Sequence, residues 1–351
     1  MDIDIGSRKI GDGHPCFVVA ELGQNMNGDV YTATRLMKAA ADAGCDGVKL
    51  CKRDIQSELT ADAFNRLYEG PQSFGATYGA HRQALELTRD EYAHLAERVR
   101  YNGWPFTLFA TACDRQSVFD VETALNPPLY KVASRDLDNL PLLSYLARLR
   151  KPIVLSAGMA EEGEIEAALN TVRKIHNQIV LMVCTSEYPT PNEHVGLWRI
   201  PEWRQKYGVL VGLSDHTPGI TAGICGAAFG ACMVEKHLTL SRTMKGTDHA
   251  ASLEPEGMRR LVDKIRAAEA MMARHEPAVF YHAAALARQK LGRSLTTRRA
   301  IASDEVIAEG DVCLKSPGTG IRWADRASVV GKPAARDLAA DCTLQPLDVV
   351  K

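Results

Sequence analysis

A (β/α)8 barrel followed by a small β-rich module is the fold this sequence predicts, and three observations carry it. Eight short apolar runs rich in β-branched residues recur along the chain, stretches of helical periodicity fall between them, and the period changes past about residue 285. The runs lie at 16–21, 46–50, 105–110, 129–133, 152–156, 179–184, 209–213 and 232–237. Helical stretches begin at 32, 89, 114, 137, 161 and 254. The stretch after the seventh strand, GITAGICGAAFGA, is built of small residues that imply close packing against a neighbour, and only the helix near 196–206 is weakly patterned. A doubly wound sheet is the other arrangement open to such units.

Two departures from the plain repeat set the domain organisation. Residues 54–87 form a long polar insertion after the second strand; in a barrel it belongs to the ligand-binding face, which makes it a lid candidate. Past 285 the sequence turns to short strand-like pieces broken by Gly, Asp-Glu and Pro turns. The expected domains are therefore 1–284, the barrel, and 285–351, the β-rich module.

Composition narrows the function classes. At 351 residues, with 46% hydrophobic and 24% charged residues, the chain has enough apolar material for a large core and is not a disordered or low-complexity chain. The 42 Lys and Arg against 43 Asp and Glu leave a net charge of -1, so no global field draws it to nucleic acid or to an anionic membrane. Any anion must be held locally. Nine scattered cysteines without a CxxC pair suit reduced thiols in a cytosol, and no run of about 18 apolar residues or signal-like N-terminus occurs. The expectation is a cytoplasmic protein.

Barrel enzymes carry their chemistry at the C-terminal ends of the strands. Polar residues stand there in series: Glu21, Lys49, Thr111, Lys131 with Ser134, Ser156, Ser186 with Tyr188, Ser214 with His216, and His237. Two lysines with the hydroxyls of Thr111, Ser134, Ser156 and Ser214 suit a small, highly charged anion such as a phosphate ester that also carries a carboxylate. For any one hydroxyl the alternative is a helix cap. His216 and His237 end the seventh and eighth strands, neighbours in a barrel, with Asp215, Glu235 and Asp248 nearby, and two nitrogens with open positions for water and substrate point to a catalytic Mn2+ or Mg2+.

At these residues the sequence resembles the N-acetylneuraminate (sialic acid) synthase family. The ordered set AELGQNMNGD at 20, DGVKLCKR at 46, TYGAHRQALEL at 77, YKVASRD at 130, LSAGM at 155, CTSEYPTP at 184, GLSDHTPG at 212, VEKHLTL at 234 and KGTDHAASLEP at 245 carries the likeness. LGRSL at 291, KSPGTGI at 315 and VVGK at 329 extend it into the last part, where the family has an antifreeze-like (SAF) domain. The resemblance implies a domain-swapped homodimer. It also implies that Lys49, Thr111, Lys131, Ser134, Ser156 and Ser214 cradle phosphoenolpyruvate and that His216 and His237 ligate the metal. Glu21, Asp136, Tyr188 and Asp248 then handle the sugar and proton transfers. The implied reaction joins phosphoenolpyruvate to an N-acetylhexosamine aldehyde, giving a nine-carbon 2-keto acid and phosphate.

Several positions depart from the family pattern. Met26 stands where a histidine is usual, Cys51 where a glutamine is usual, and Ser316 where bacterial members carry an arginine that reaches the partner's site; Arg322 is a possible substitute. Each change removes a strong hydrogen-bonding group. The insertion resembles that of animal-type members, some of which take a 6-phosphorylated sugar. Lys52, Arg53, His81 and Arg82 are then either contacts for an extra phosphate or a solvated basic surface. Two other functions stay open on the residues alone: a Schiff-base aldolase or lyase using Lys49 or Lys131, and a phosphoenolpyruvate- or sugar-binding protein without turnover.

Overall fold

The computed structural model describes residues 1–274 and 276–350. Its first unit, Met1–Met272, is built on eight parallel strands that hydrogen-bond in chain order and close on themselves. They are β1 (Phe17–Glu21), β2 (Gly47–Lys52), β3 (Thr107–Ala112), β4 (Tyr130–Val132), β5 (Ile153–Ser156), β6 (Ile179–Val183), β7 (Leu210–Asp215) and β8 (Met233–His237). The closing pair is β8 with β1, Val234 opposite Val18 and His237 opposite Glu21. Closure excludes the doubly wound alternative. A helix follows each strand: α1 (Val30–Asp42), α2 (Arg89–Asn102), α3 (Arg115–Leu125), α4 (Leu140–Arg148), α5 (Glu162–Arg173), α6 (Arg199–Tyr207), α7 (Thr221–Ala228) and α8 (Pro255–Met272).

The period of two in a strand divides the buried side chains into two populations. Val18, Ala20, Val48, Leu50, Leu155 and Leu181 face outward into the layer shared with the helices. Phe17, Val19, Phe109, Val154, Val180 and Met233 belong to a separate inner cluster. Gly47 shows how tightly that interior is filled, since a Cβ there would lie 2.6 Å from Phe17 Cε1 and 3.1 Å from Phe109 Cε1. The two rings occupy the space any side chain would need.

The first residues form a structure that their charge pattern did not announce. Asp2–Ile5 and Arg8–Gly11 pair as an antiparallel hairpin about a turn at Gly6, whose φ of +60° suits glycine. Alternation in DIDI puts Ile3 and Ile5 on one face. With Ile10 they join the inner cluster, so the hairpin caps the N-terminal end of the barrel, each buried isoleucine contributing about 1.5–3 kcal/mol.

The weakly patterned sixth helix is present as α6. Ile200, Trp203 and Tyr207 provide its buried stripe at i, i+3 and i+7, and Pro201 sits in the first turn, where no backbone donor is missed. The third strand is displaced by two residues from the expected 105–110. The insertion folds as short helices at Ile55–Glu58, Ala61–Asn65 and Tyr78–Gln83.

The second unit spans Ala273–Lys351. Strand-like patterning sets the boundary at 284/285, whereas chain packing divides at 272/273, because the helices Pro277–Ala283 and Ala285–Leu291 go with the second unit. An antiparallel pair, Ser294–Thr297 with Val312–Lys315, and single bridges such as Ile301 with Leu338 surround a small core that includes Leu295, Ile307, Val329 and Leu344. Among the described residues, no helix is long and apolar enough to cross a membrane.

Candidate active site

The inward-facing series of each strand is apolar at the capped end and polar at the other. Phe17–Val19 leads to Glu21, Gly47 to Lys49 and Cys51, Phe109 to Thr111, Leu129 to Lys131, Val154 to Ser156, Leu210–Gly212 to Ser214 and His216, and Met233 to Glu235 and His237. These polar ends line one open cavity of about 430 Å3. Every residue singled out for the chemistry lines it except Asp136. Asp136 lies in the short turn Ser134–Asp136 after β4 and turns toward Arg135, 3.5 Å away. Burial lifts its carboxyl to about 6, against the pull of Arg135. Asp215 also differs from the expected arrangement. Standing between Ser214 and His216, it faces outward by alternation and pairs with the buried Lys236 at 2.8 Å.

The cationic floor is organised by an acid. Glu235 Oε1 lies 3.0 Å from Lys49 Nζ and 3.5 Å from Lys131 Nζ, and accepts the Ser214 hydroxyl at 3.2 Å. Glu21 Oε2 approaches Lys49 from the other side at 2.9 Å. Burial alone would raise the Glu235 carboxyl, but Lys131 and Lys49 hold it well below the usual carboxylate range. Burial pulls the Lys49 ammonium down to about 8 against the pull of Glu235, with Lys131 adding to the fall. Around this group the hydroxyls of Thr111 and Ser156 are buried without a hydrogen-bond partner. Unpaired buried hydroxyls are costly, so their presence beside two ammoniums marks a place for an oxyanion.

His216 and His237 stand together as the topology requires, ring centroids 5.6 Å apart, with the Tyr188 ring tilted 31° against His216 at 4.0 Å. His216 Nδ1 lies 2.9 Å from the Thr185 carbonyl. A carbonyl only accepts, so Nδ1 is the donor in that bond and Nε2 is the nitrogen left to act as a ligand. His237 Nδ1 is buried without a hydrogen bond, 4.0 Å from Asp248 Oδ2, and burial lowers the affinity of this ring for a proton. Gly23, at φ +45°, keeps the adjoining space open: a Cβ there would meet Glu21 Oε1 at 3.0 Å and His237 Cε1 at 3.4 Å. Two imidazoles facing an open pocket fit a divalent ion whose other positions are left to water and substrate. Among the described residues no cluster of three or more His, Cys, Asp or Glu side chains forms a closed metal cage.

Two features escaped sequence reasoning. Glu235, noted only as an acid near the histidines, is the centre of the lysine pair, and its place two residues before His237 on one strand was the available signal. Arg135 follows Ser134 directly and lines the cavity, a placement that only the turn after β4 reveals. Of the four basic residues set apart in the sequence, Arg53, His81 and Arg82 are buried and Lys52 is half-buried, so they are not a solvated surface. Arg53 pairs with Glu86 at 2.6 Å and Arg82 with Glu58 at 3.1 Å. Of residues 54–87 none lines the cavity, so the insertion backs the wall where a lid was expected.

Comparison with known proteins follows the same lines. Residues 36–277 match the model of the NeuB family. The N-acetylneuraminate-9-phosphate synthase of Homo sapiens is 32% identical over 339 residues, covering 96% of this chain and 93% of that one. The N,N'-diacetyllegionaminic acid synthase of Legionella pneumophila is 33% identical, covering 97% and 96%. A solved N-acetylneuraminic acid synthetase from Leptospira borgpetersenii superposes with a TM-score of 0.71 at 28% identity, over 83% of this chain and 97% of the other.

The unpaired hydroxyls give a direct test. Thr111→Val and Ser156→Ala should leave the thermal midpoint unchanged or slightly raised, because each removes a buried unsatisfied group, while weakening binding of inorganic phosphate by about tenfold. Calorimetric titration and a melting curve read the two effects separately, and a lowered midpoint with unchanged binding would show the hydroxyls to be structural.

Proposed function

The chain belongs to the NeuB family, and from that premise we propose that it condenses phosphoenolpyruvate with an N-acetylhexosamine-type aldose, N-acetylmannosamine, its 6-phosphate or a related sugar. The products are a sialic-acid-like 2-keto acid and inorganic phosphate. The observation that carries this reading is the convergence, in one cavity, of two ammoniums with unpaired hydroxyls and two imidazoles.

In this reading Lys49 and Lys131 neutralise the phosphate and carboxylate of phosphoenolpyruvate, and Thr111, Ser134, Ser156 and Ser214 orient them by hydrogen bonds. A divalent ion, Mn2+ or Mg2+, held by His216 and His237, supplies Lewis-acid polarisation of the acceptor aldehyde when bound. The C3 carbon of phosphoenolpyruvate then forms a bond to the aldehyde carbon, and the aldehyde oxygen gains a proton to become a hydroxyl. Water adds at C2. The C2–O bond to phosphate breaks, phosphate departs under the charge of the two lysines, and a keto group remains. Glu21 and Asp248, beside His237, are placed to orient the water and to move its protons. Tyr188, tilted against the His216 ring, walls the acceptor side.

We further propose a cytoplasmic homodimer, in line with nine free cysteines and with the resemblance of the second unit to an antifreeze-like domain. Sedimentation should then give the mass of two chains.

Incubation with phosphoenolpyruvate, Mn2+ and a panel of N-acetylhexosamines should release phosphate with at least one sugar. His216→Ala and His237→Ala should each lose Mn2+ binding, followed by electron paramagnetic resonance, and the metal-dependent rate. An ammonium lowered to about 8 readily gives the neutral amine a Schiff-base enzyme needs, so borohydride trapping with pyruvate is the discriminating control. A lysine adduct with activity surviving chelation would favour an aldolase or lyase, whereas binding without product would favour a non-catalytic homologue.

A pH profile provides a further check. Phosphoenolpyruvate needs Lys49 charged, and that charge is lost as pH rises through about 8. Hence kcat/KM for phosphoenolpyruvate should fall above about pH 8, and Lys49→Arg should flatten the fall. A profile level to pH 10 would remove Lys49 from the anion site.

A further inference from the structure

The loop from β6 to α6, residues 184–198, carries Ser186 and Tyr188 to the cavity and sets the Thr185 carbonyl 2.9 Å from His216 Nδ1. One guanidinium gathers its two ends. Arg199, the first residue of α6, is half-buried and does not line the cavity. Its Nε donates to the Gly196 carbonyl at 3.3 Å, and its Nη2 reaches the Val195 carbonyl at 2.9 Å, the Cys184 carbonyl at 3.3 Å and Thr185 Oγ1 at 3.4 Å. All four acceptors are uncharged oxygens of the loop. On its other side the guanidinium carbon stands 5.3 Å from the ring centre of Trp203, one turn along α6. The space it fills is reserved for it: a Cβ on Gly196 would lie 2.7 Å from Nε and 3.0 Å from Nη2.

What this clasp holds still is the oxygen that decides the form of His216. In an uncharged imidazole the proton sits on one nitrogen, and the hydrogen bond made by the other ring position selects which. With the Thr185 carbonyl in place the proton is kept on Nδ1; with the carbonyl withdrawn, nothing commits the ring, and a proton on Nε2 removes the lone pair that faces a ligand. The Cys184 sulfur, 3.9 Å from the same nitrogen, is a weaker partner and leaves the choice to the carbonyl. Arg199 grips the chain on both sides of the Cys184–Thr185 peptide bond, at the Cys184 carbonyl and the Thr185 side chain. The Thr185 hydroxyl in turn donates to the His194 carbonyl at 2.8 Å and ties the ends of the loop a second time.

We propose that Arg199 is a positioning residue that fixes the tautomer of His216: by seating the loop it keeps the Thr185 carbonyl on Nδ1 and Nε2 free of a proton. Arg199 makes no hydrogen bond to the ring, so its influence passes through the loop alone. The consequence for a divalent ion rests on the reading of His216 as a metal ligand.

The tautomer is read without metal. Nuclear magnetic resonance of the whole chain, nitrogen-labelled at histidine and freed of metal, at about pH 8.5 where an ordinary imidazole is neutral, reports which nitrogen of each ring carries the proton. The chain has ten histidines, and the signals lost in His216→Gln identify the ring concerned. The unaltered chain should hold the His216 proton on Nδ1. Arg199→Met keeps the apolar stem and loses the donors; it should lose that preference and weaken Mn2+ binding, followed by electron paramagnetic resonance, by about tenfold or more. Arg199→Lys keeps the charge but not the fork, should lose less of both, and carries the test if Arg199→Met fails to fold. A merely structural role would lower the melting temperature of Arg199→Met and leave the tautomer and the Mn2+ affinity where they were, which overturns the proposal. An unaltered chain with the proton on Nε2 overturns it as well. Absence of Mn2+ binding in the unaltered chain, with the tautomer shift present in Arg199→Met, counts against the metal reading alone and supports the positioning role.

Discussion

Glu235 lies between two buried ammoniums, 3.0 Å from Lys49 and 3.5 Å from Lys131, and also accepts the Ser214 hydroxyl. Two like charges at the end of a packed barrel would repel each other and lose their hydration, and a carboxylate set between them compensates for both. Removing it would leave uncompensated buried charge, at a cost of about 3–5 kcal/mol. Held by that carboxylate, both lysines are in place before a ligand arrives. A phosphorylated anion entering the cavity meets cations already positioned, with Thr111 and Ser156 lacking partners of their own. Recognition therefore needs little rearrangement of the floor.

Much of this was legible because a closed parallel barrel leaves few choices. Runs of β-branched residues separated by helical stretches can be counted, and once eight are counted the end of each strand is committed to a single mouth. Period-two alternation then assigns faces: Lys49 follows Gly47 inward, and His237 follows Glu235. The histidine pair was readable for the same reason, since β7 and β8 are neighbours. Asp136 was carried over from a resemblance and not from alternation. It sits in a turn beyond its strand, where the period no longer applies and Arg135 draws it aside.

What remained hidden depends on contacts distant in sequence. Arg53 and Glu86, or Arg135 and Glu58, pair across the insertion, and no local pattern announces which of many surface-like charges will be buried together. The polar composition of residues 54–87 suggested a mobile cover, yet Glu58 and Glu86 instead brace the wall from behind. Alternating aspartates masked the hairpin. Only its isoleucines, spaced to fall on one face, register the apolar end they cover.

That N-terminal hairpin makes the barrel a vessel sealed at one end. Ile3, Ile5 and Ile10 join Phe17, Val154 and Val180 in a filled interior, so no passage runs through the strands. Whatever enters must leave by the same doorway. In the proposed condensation, with two substrates and two products, a molecule lodged on the floor would then stay trapped until whatever arrived above it had departed.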